Sequence, residues 1–211
     1  RAVTFHYGQR HAVEVEAARS QIKYLEGHGI FVPHEVLPLG PILLGTSPLV
    51  SGNEVESYAD AASLPGGLEK TFVPMRNALF LVLAGNRAAC MGGAGDSVDV
   101  YTGVSQEDFG GYPDCREDFI DSMEAALREA VKDDSMPRIT IATPLIHLTK
   151  KQTVEMAEAT PHGRELNALS HTCYKGEVPP CGHCHACLLR QKGYAEAGVT
   201  DPLLERLGHG L

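Results

Sequence analysis

The chain has 211 residues, 43% of them hydrophobic, with a formal net charge of −9 and a pI near 5.5. That is apolar material for one good-sized core and a small appendage, while no apolar run approaches the ~20 residues needed to span a bilayer. A protein that grips nucleic acid by its phosphates usually presents a basic face, so the acidic balance points to a small-molecule substrate and against a nucleic-acid partner, and the lack of a spanning run points against a membrane one. There is no initiator Met, signal peptide or basic leader, and four of the six cysteines crowd into the fifteen residues from Cys173 to Cys187. Such clustering is unlike a disulfide framework, which spreads its cysteines, so a reducing, cytoplasmic setting and a metal are expected.

The apolar pattern alternates between two periods along the chain. Arg1–Phe5 reads as a strand ending at Gly8, followed by a helix with Val15, Ala18, Ile22 and Leu25 at steps of three and four. His34–Leu39 is a short extended piece, and the Gly/Ser/Pro-rich stretch from Gly40 to Gly67 is a long loop of the kind that is usually functional or mobile inside a compact domain. Asn77–Met91 is apolar nearly all round, which predicts a buried helix. Val98–Val104 predicts a strand, Cys115–Val131 a helix, Arg138–Ala142 a strand and Lys150–Ala159 a helix. The spacing of Asp114 to Glu117, and of Thr149 to Gln152, suits a capping box at the start of each of the last two helices.

This rhythm predicts an α/β fold with a doubly wound, mostly parallel sheet covered on both faces. Ligands in such folds bind beyond the carboxyl ends of the strands. Attention therefore falls on three polar loops: His6–His11, Ser105–Asp114 and Thr143–Lys150. Met91–Ser97 contains Gly-Gly-Ala-Gly-Asp-Ser but precedes a strand, whereas a phosphate loop follows a strand and opens a helix, so a glycine turn is expected there.

Cys173, Cys181, Cys184 and Cys187 form a C-x7-C-x2-C-x2-C array. Four thiolates suit a tetrahedral Zn²⁺ ion, and a closed thiolate shell leaves no position for water, so the zinc is expected to be structural. An iron–sulfur cluster is the rival occupant, distinguishable by its colour. His171, His183 and His185 lie in the same stretch and are read as bystanders. Leu188–Tyr194 is expected to form a helix clamped by the metal.

Five stretches together resemble the 7-cyano-7-deazaguanine synthase (QueC) family of the ATP pyrophosphatase superfamily. They are Phe5–His11, Phe72–Asn77, Gly110–Arg116, Thr143–Leu145 with Leu148–Lys150, and Cys173–Tyr174 with Cys181–Gly193, in the family's order. The resemblance implies an adenine-nucleotide alpha hydrolase-like domain over residues 1–165 and a zinc-binding subdomain over 166–211. It implies ATP-dependent conversion of 7-carboxy-7-deazaguanine and ammonia to the nitrile, with Mg²⁺, in a homodimer, for queuosine precursor biosynthesis and tRNA modification. Arg76, Arg116 and Lys150 are the implied catalytic cations. Asn77, Phe109, Tyr112 and Asp114 would hold the deazapurine, and Gln9, Arg10 and His11 the nucleotide. The family's Ser-Gly-Gly-x-Asp-Ser phosphate loop belongs before Arg1, and since Arg1 already opens a strand, the natural chain is expected to begin upstream. Two alternatives remain: a related adenylating enzyme with another acceptor, by tRNA sulfur transfer or deazapurine conjugation, and a non-catalytic zinc-bearing interaction module.

Overall fold

The computed structural model describes residues 1–65, 67–106 and 112–208. In chain order its elements are β1 (Ala2–His6), α1 (Val13–Gly27), β2 (His34–Pro38), α2 (Arg76–Ala89), β3 (Ser97–Tyr101), α3 (Glu117–Ala130), β4 (Arg138–Ala142), α4 (Lys150–Ala159), α5 (Gly163–Leu169), α6 (His185–Ala197) and α7 (Pro202–Arg206). Short 3-10 turns occupy Ala61–Ser63 and Pro113–Cys115. The chain divides into two compact units, Arg1–Pro65 with Thr149–Leu211, and Gly66–Leu148.

In the first unit β1 and β2 pair in parallel, from Ala2 opposite His34 to His6 opposite Pro38. A parallel pair needs a long crossover, and α1 provides it, with Glu14 and Glu16 in its first turn where the helix dipole favours negative charge. The capping box expected at α4 is present: Thr149 Oγ1 accepts from the Gln152 N–H at 3.2 Å, and Gln152 Oε1 accepts from the Thr149 N–H at 2.9 Å. The turn from α4 into α5 depends on Gly163, since a β-carbon there would lie 1.9 Å from the Ala157 carbonyl oxygen. Neither α5 nor α7 was foreseen. Both are short, and neither carries a long apolar stripe. They are fixed by tertiary contacts such as the fork of Arg190 on Asp201, at 2.6 and 2.8 Å, where both side chains are nearly buried.

The second unit is built on β3 and β4, parallel from Ser97 opposite Arg138 to Tyr101 opposite Ala142. Val100, Ile139 and Ile141 pack with Leu81 and Ala88 of α2, Ile120 and Leu127 of α3, and Ile146. Gly85 lets α2 and α3 close together, because a β-carbon there would stand 2.8 Å from a Leu127 methyl. Sequence periodicity overstated the burial of α2. It buries one face through Ala78, Leu81, Gly85 and Ala88, while Val82 is 49% exposed. The Met91–Ser97 stretch is the expected turn, with Gly95 at a φ of 80° and Asp96 Oδ2 accepting from the Gly93 N–H at 2.9 Å.

Every described strand pairing is parallel, so the α/β class holds. Among the described residues the strands form two separate two-stranded sheets, one in each unit. No described helix is long and apolar enough to cross a membrane.

Candidate functional site and metal centre

Four cysteines gather where the sequence placed them. The sulfurs of Cys173, Cys181, Cys184 and Cys187 all lie within 4.8 Å of one another, with Cys173 and Cys184 fully buried. Cys181 Sγ and Cys187 Sγ are 3.9 Å apart, far beyond the ~2.05 Å of a disulfide. That spacing is close to the edge of a tetrahedron built on metal–sulfur bonds of ~2.3 Å, about 3.8 Å. Backbone N–H groups already point at the sulfurs, Cys184 to Cys181 at 3.3 Å and Cys181 to Cys173 at 3.5 Å. Gly182, with φ 79°, makes the tight turn inside the first Cys-x2-Cys step, between Cys181 and Cys184. The donor set can therefore hold one metal ion, and a multi-iron cluster would need its thiolates further apart.

The electrostatics within the cluster agree. Hydrogen bonds from Cys184 and Cys187 hold the Cys173 thiol far below the ordinary range. The same partnership with Cys173 pushes Cys184 up to about 11 and raises Cys187 further. One sulfur is stabilised as thiolate by its neighbours' protons, which a cation would replace. His171 hydrogen-bonds to Cys173, and none of the three nearby histidines belongs to the gathered ligand atoms.

The cysteine segment also supports the loop after β1. Gly176, at φ 71°, lies so close that a β-carbon there would be 3.1 Å from the Arg10 carbonyl oxygen and 3.2 Å from His11 Cα. The Tyr174 and His11 rings are 5.9 Å apart. Gln9 is buried and braces this loop from within. Its Oε1 accepts from the Tyr7 N–H at 2.9 Å, and its Nε2 donates to the Phe5 carbonyl at 3.1 Å and to Glu14 at 2.8 Å. His11 is buried and sits 3.4 Å from Glu14. Arg10 is exposed and donates to the Asn53 carbonyl at 2.8 Å.

Arg10 thereby anchors the long loop after β2. That loop is further held by the buried Ser47, Leu49, Val55 and Leu64 and by a hydrogen bond from the Tyr58 N–H to the His183 carbonyl at 2.9 Å. Lys150 stands half-buried in this same unit, at the first position of α4 and against Gly193 of α6.

The second unit brings Arg76, Asn77 and Asp114 together. The Asn77 N–H donates to Asp114 Oδ2 at 3.3 Å, and Asn77 Nδ2 donates to the Asp114 carbonyl at 3.2 Å and to Cys115 Sγ at 3.3 Å. This corrects the capping expectation for Asp114. The N-cap of α3 is Arg116, without a side-chain cap, and the Asp114 carboxylate reaches across to the start of α2. The 3-10 turn at Pro113–Cys115 redirects the chain before α3 begins, which the i to i+3 spacing alone could not reveal. Burial raises the Asp114 carboxyl above the ordinary aspartate range, against the opposing pull of the Asn77 N–H and the Arg76 charge.

Arg76 is half-buried with its Nε 3.4 Å from Asn77 Oδ1. It follows Met75, which holds a left-handed φ of 64° while 68% exposed. Arg116 is exposed, and Phe109 lies outside the described residues.

Tyr112 is half-buried, its ring 5.4 Å from that of Phe72, and its hydroxyl is 2.7 Å from Thr71 Oγ1. Thr71 in turn donates to Glu69 Oε2 at 3.0 Å. Glu69 and Thr71 were not singled out from sequence. The available signal was an acid and a hydroxyl two residues apart, immediately before Phe72-Val-Pro-Met-Arg-Asn77.

A family model described as queuosine biosynthesis protein QueC matches residues 1–198. A protein of Gloeobacter violaceus named 7-cyano-7-deazaguanine synthase is 50% identical over 204 residues, 96% of this chain and 83% of the relative. Relatives of the same name from Chromobacterium violaceum and Laribacter hongkongensis are 45% identical over 212 residues and 42% over 208. These alignments cover 97% and 98% of this chain, and 81% and 83% of the relatives.

Proposed function

We propose a reaction for this chain from one premise: it belongs to the queuosine biosynthesis protein QueC family. It is an ATP-dependent carbon–nitrogen ligase that converts 7-carboxy-7-deazaguanine and ammonia to 7-cyano-7-deazaguanine. The observation that carries this reading is the match of the family model from residue 1 to residue 198, together with synthases 42–50% identical over nearly the whole chain.

A carboxylate is a poor electrophile, and adenylation gives it a leaving group that ammonia displaces to form the amide. A second activation, on the amide oxygen, lets that oxygen depart as the nitrogen loses its protons, leaving the nitrile. Both steps concentrate negative charge, which fixed cations stabilise best where water is excluded. In this proposal Arg76, Arg116 and Lys150 carry that task, Arg76 by its bidentate fork on a carboxylate or phosphate. Asn77, Tyr112, Asp114 and Phe109 hold the deazapurine. Asp114 accepts from its exocyclic amine, and Tyr112 and Phe109 stack on the ring. Gln9, Arg10 and His11 form the nucleotide loop. Gln9 acts there from inside, by holding the loop's shape.

The proposed fold is the family's doubly wound, mostly parallel sheet, with a nucleotide-binding domain over 1–165 and a metal-binding subdomain over 166–211. Cys173, Cys181, Cys184 and Cys187 would hold one structural Zn²⁺, supported by the sulfur spacing of 3.9 Å and the 4.8 Å limit of the group. Mg²⁺ enters with ATP as part of that substrate. A cytoplasmic homodimer acting on small molecules completes the reading.

The test is a mass-spectrometric assay of the full encoded protein with 7-carboxy-7-deazaguanine, ammonium, Mg²⁺ and ATP. Nitrile formation is expected. Amide alone would point to a different second acceptor, and no product with no ATP consumed would favour a zinc-bearing interaction module.

A further inference from the structure

Glu69 and Thr71 are each only 7% exposed, although both are polar and neither stands in a helix or strand. Buried polar groups persist when they are hydrogen-bonded. Here the bonds run in a line from the protein interior to an aromatic ring. Thr71 Oγ1 donates to Glu69 Oε2 at 3.0 Å and stands 2.7 Å from the Tyr112 hydroxyl oxygen. A carboxylate can only accept, and a threonine hydroxyl has one proton. That proton is given to Glu69, so the Thr71 oxygen accepts from the phenol. The turn that places the two groups is closed by the Phe72 N–H on the Glu69 carbonyl at 3.0 Å. Phe72 then sets its own ring 5.4 Å from that of Tyr112, tilted by 37°.

Two consequences follow for Tyr112. Its ring is held at the hydroxyl end by Thr71 and beside its face by Phe72, so the plane it offers is fixed. Its only hydroxyl proton points inward, so whatever else meets that oxygen must donate to it. We infer that Glu69 and Thr71 are positioning residues that fix the plane of Tyr112 and its polarity as a hydrogen-bond acceptor. They thereby select a planar ligand that carries N–H donors at its edge and turn away carboxylate or phosphate oxygens. This rests on the reading that Tyr112 contacts the deazapurine, whose amine and ring N–H groups are such donors.

The test measures KM and kcat for nitrile formation, and substrate binding by calorimetry, in the full encoded protein. Thr71→Val removes the hydroxyl at nearly constant volume, Thr71→Ser keeps it, and Tyr112→Phe keeps the ring but cannot donate. Thr71→Val and Tyr112→Phe are each expected to weaken binding and raise KM by about fivefold to tenfold, with kcat changed far less. Thr71→Ser is expected to stay close to the parent. The double variant is expected to be no worse than Tyr112→Phe alone, because once the phenol is gone Thr71 has no bond to it left to lose.

Glu69→Gln keeps the shape but lets an amide donate to Thr71, which frees the relay to reverse, so it too is expected to raise KM. If Tyr112→Ala raises KM while Thr71→Val and Glu69→Gln leave it at the parent value, the positioning role is overturned and Tyr112 keeps its place. If Tyr112→Ala itself changes nothing, the substrate-contact reading fails and this inference falls with it. Equal losses in Thr71→Val and Thr71→Ser, accompanied by lower melting temperatures, would overturn it in favour of a purely structural bond.

Discussion

Gly193 of α6 lies directly against Lys150 at the start of α4: a β-carbon on Gly193 would stand 2.9 Å from Lys150 Cβ and 3.2 Å from its carbonyl carbon and oxygen. Glycine is thus what allows the helix that carries the last cysteine to meet, backbone to backbone, the helix whose first residue is a proposed catalytic cation. Gly193→Ala forces these helices apart, because neither contact is with a flexible side-chain tip. Overpacking of this kind costs ~1–3 kcal/mol, which for a chain of this size lowers the melting temperature by roughly 2–12 °C. Turnover is expected to fall with Lys150 displaced. An alanine variant with unchanged melting and unchanged kinetics would show that the contact is tolerant and that Lys150 is placed by other means.

The same helix begins at the four-cysteine cluster, since Cys184 is its N-cap and Cys187 lies in its first turn. Cys184→Ser replaces a fully buried sulfur donor with a harder, weaker oxygen. We expect loss of bound zinc, measured by atomic emission, and a melting temperature lower by at least ~5 °C. Chelation of the parent protein is expected to produce the same shift, reversed by added Zn²⁺. A serine variant with full zinc content and unchanged melting would remove Cys184 from the ligand set.

Much of this was legible in the sequence for identifiable reasons. β4 and α4 fall on the residues their periodicity marked, and the two Cys-x2-Cys steps, each a local turn, gather Cys181, Cys184 and Cys187, which Cys173 joins from across a seven-residue gap. What sequence spacing could not supply was the choice between local and distant hydrogen bonds. Thr149 caps its own helix, as its spacing to Gln152 suggests, whereas Asp114 has the same spacing to Glu117 and bonds instead to Asn77, 37 residues away. The deciding feature is the 3-10 turn through Pro113, which depends on how β3, α2 and α3 pack. The line from Glu69 to Tyr112 was hidden for the same reason, as it closes a gap of 41 residues between Thr71 and Tyr112.

Arg76 is the residue whose removal is expected to separate activity from folding. It is half-buried, at the start of α2, with its hydrogen-bonding plane beside Asn77. Arg76→Ala is expected to preserve the circular dichroism spectrum and the zinc content while lowering kcat/KM by at least ~10²-fold. Arg76→Lys keeps the charge but not the fork, so it is expected to recover only part of that loss. Parent-like kinetics in the alanine variant would place the substrate carboxylate and phosphate elsewhere.

Asp114 carries the expected pH dependence. Burial raises its carboxyl above the ordinary aspartate range, even with the Asn77 N–H and the Arg76 charge pulling the other way. A raised carboxyl means that the folded state binds this proton more tightly than the unfolded state. As pH rises through the window between the ordinary value and the folded one, the unfolded chain loses its proton first, and the folded state loses stability. Asp114→Asn has no proton to lose, and its amide oxygen can still accept from the Asn77 N–H. The stability difference between the two proteins, from urea melts at stepped pH, is therefore expected to move in favour of asparagine as pH rises through that window and then level off. Effects of acid on the cysteine cluster are common to both proteins and cancel in the difference. A difference that is flat, or that runs the other way, would mean that the bonds to the carboxylate outweigh its burial. If the expected slope is found together with weaker substrate binding in the asparagine variant, the protein maintains a destabilising buried charge at Asp114 because the ligand's amine requires a charged acceptor there.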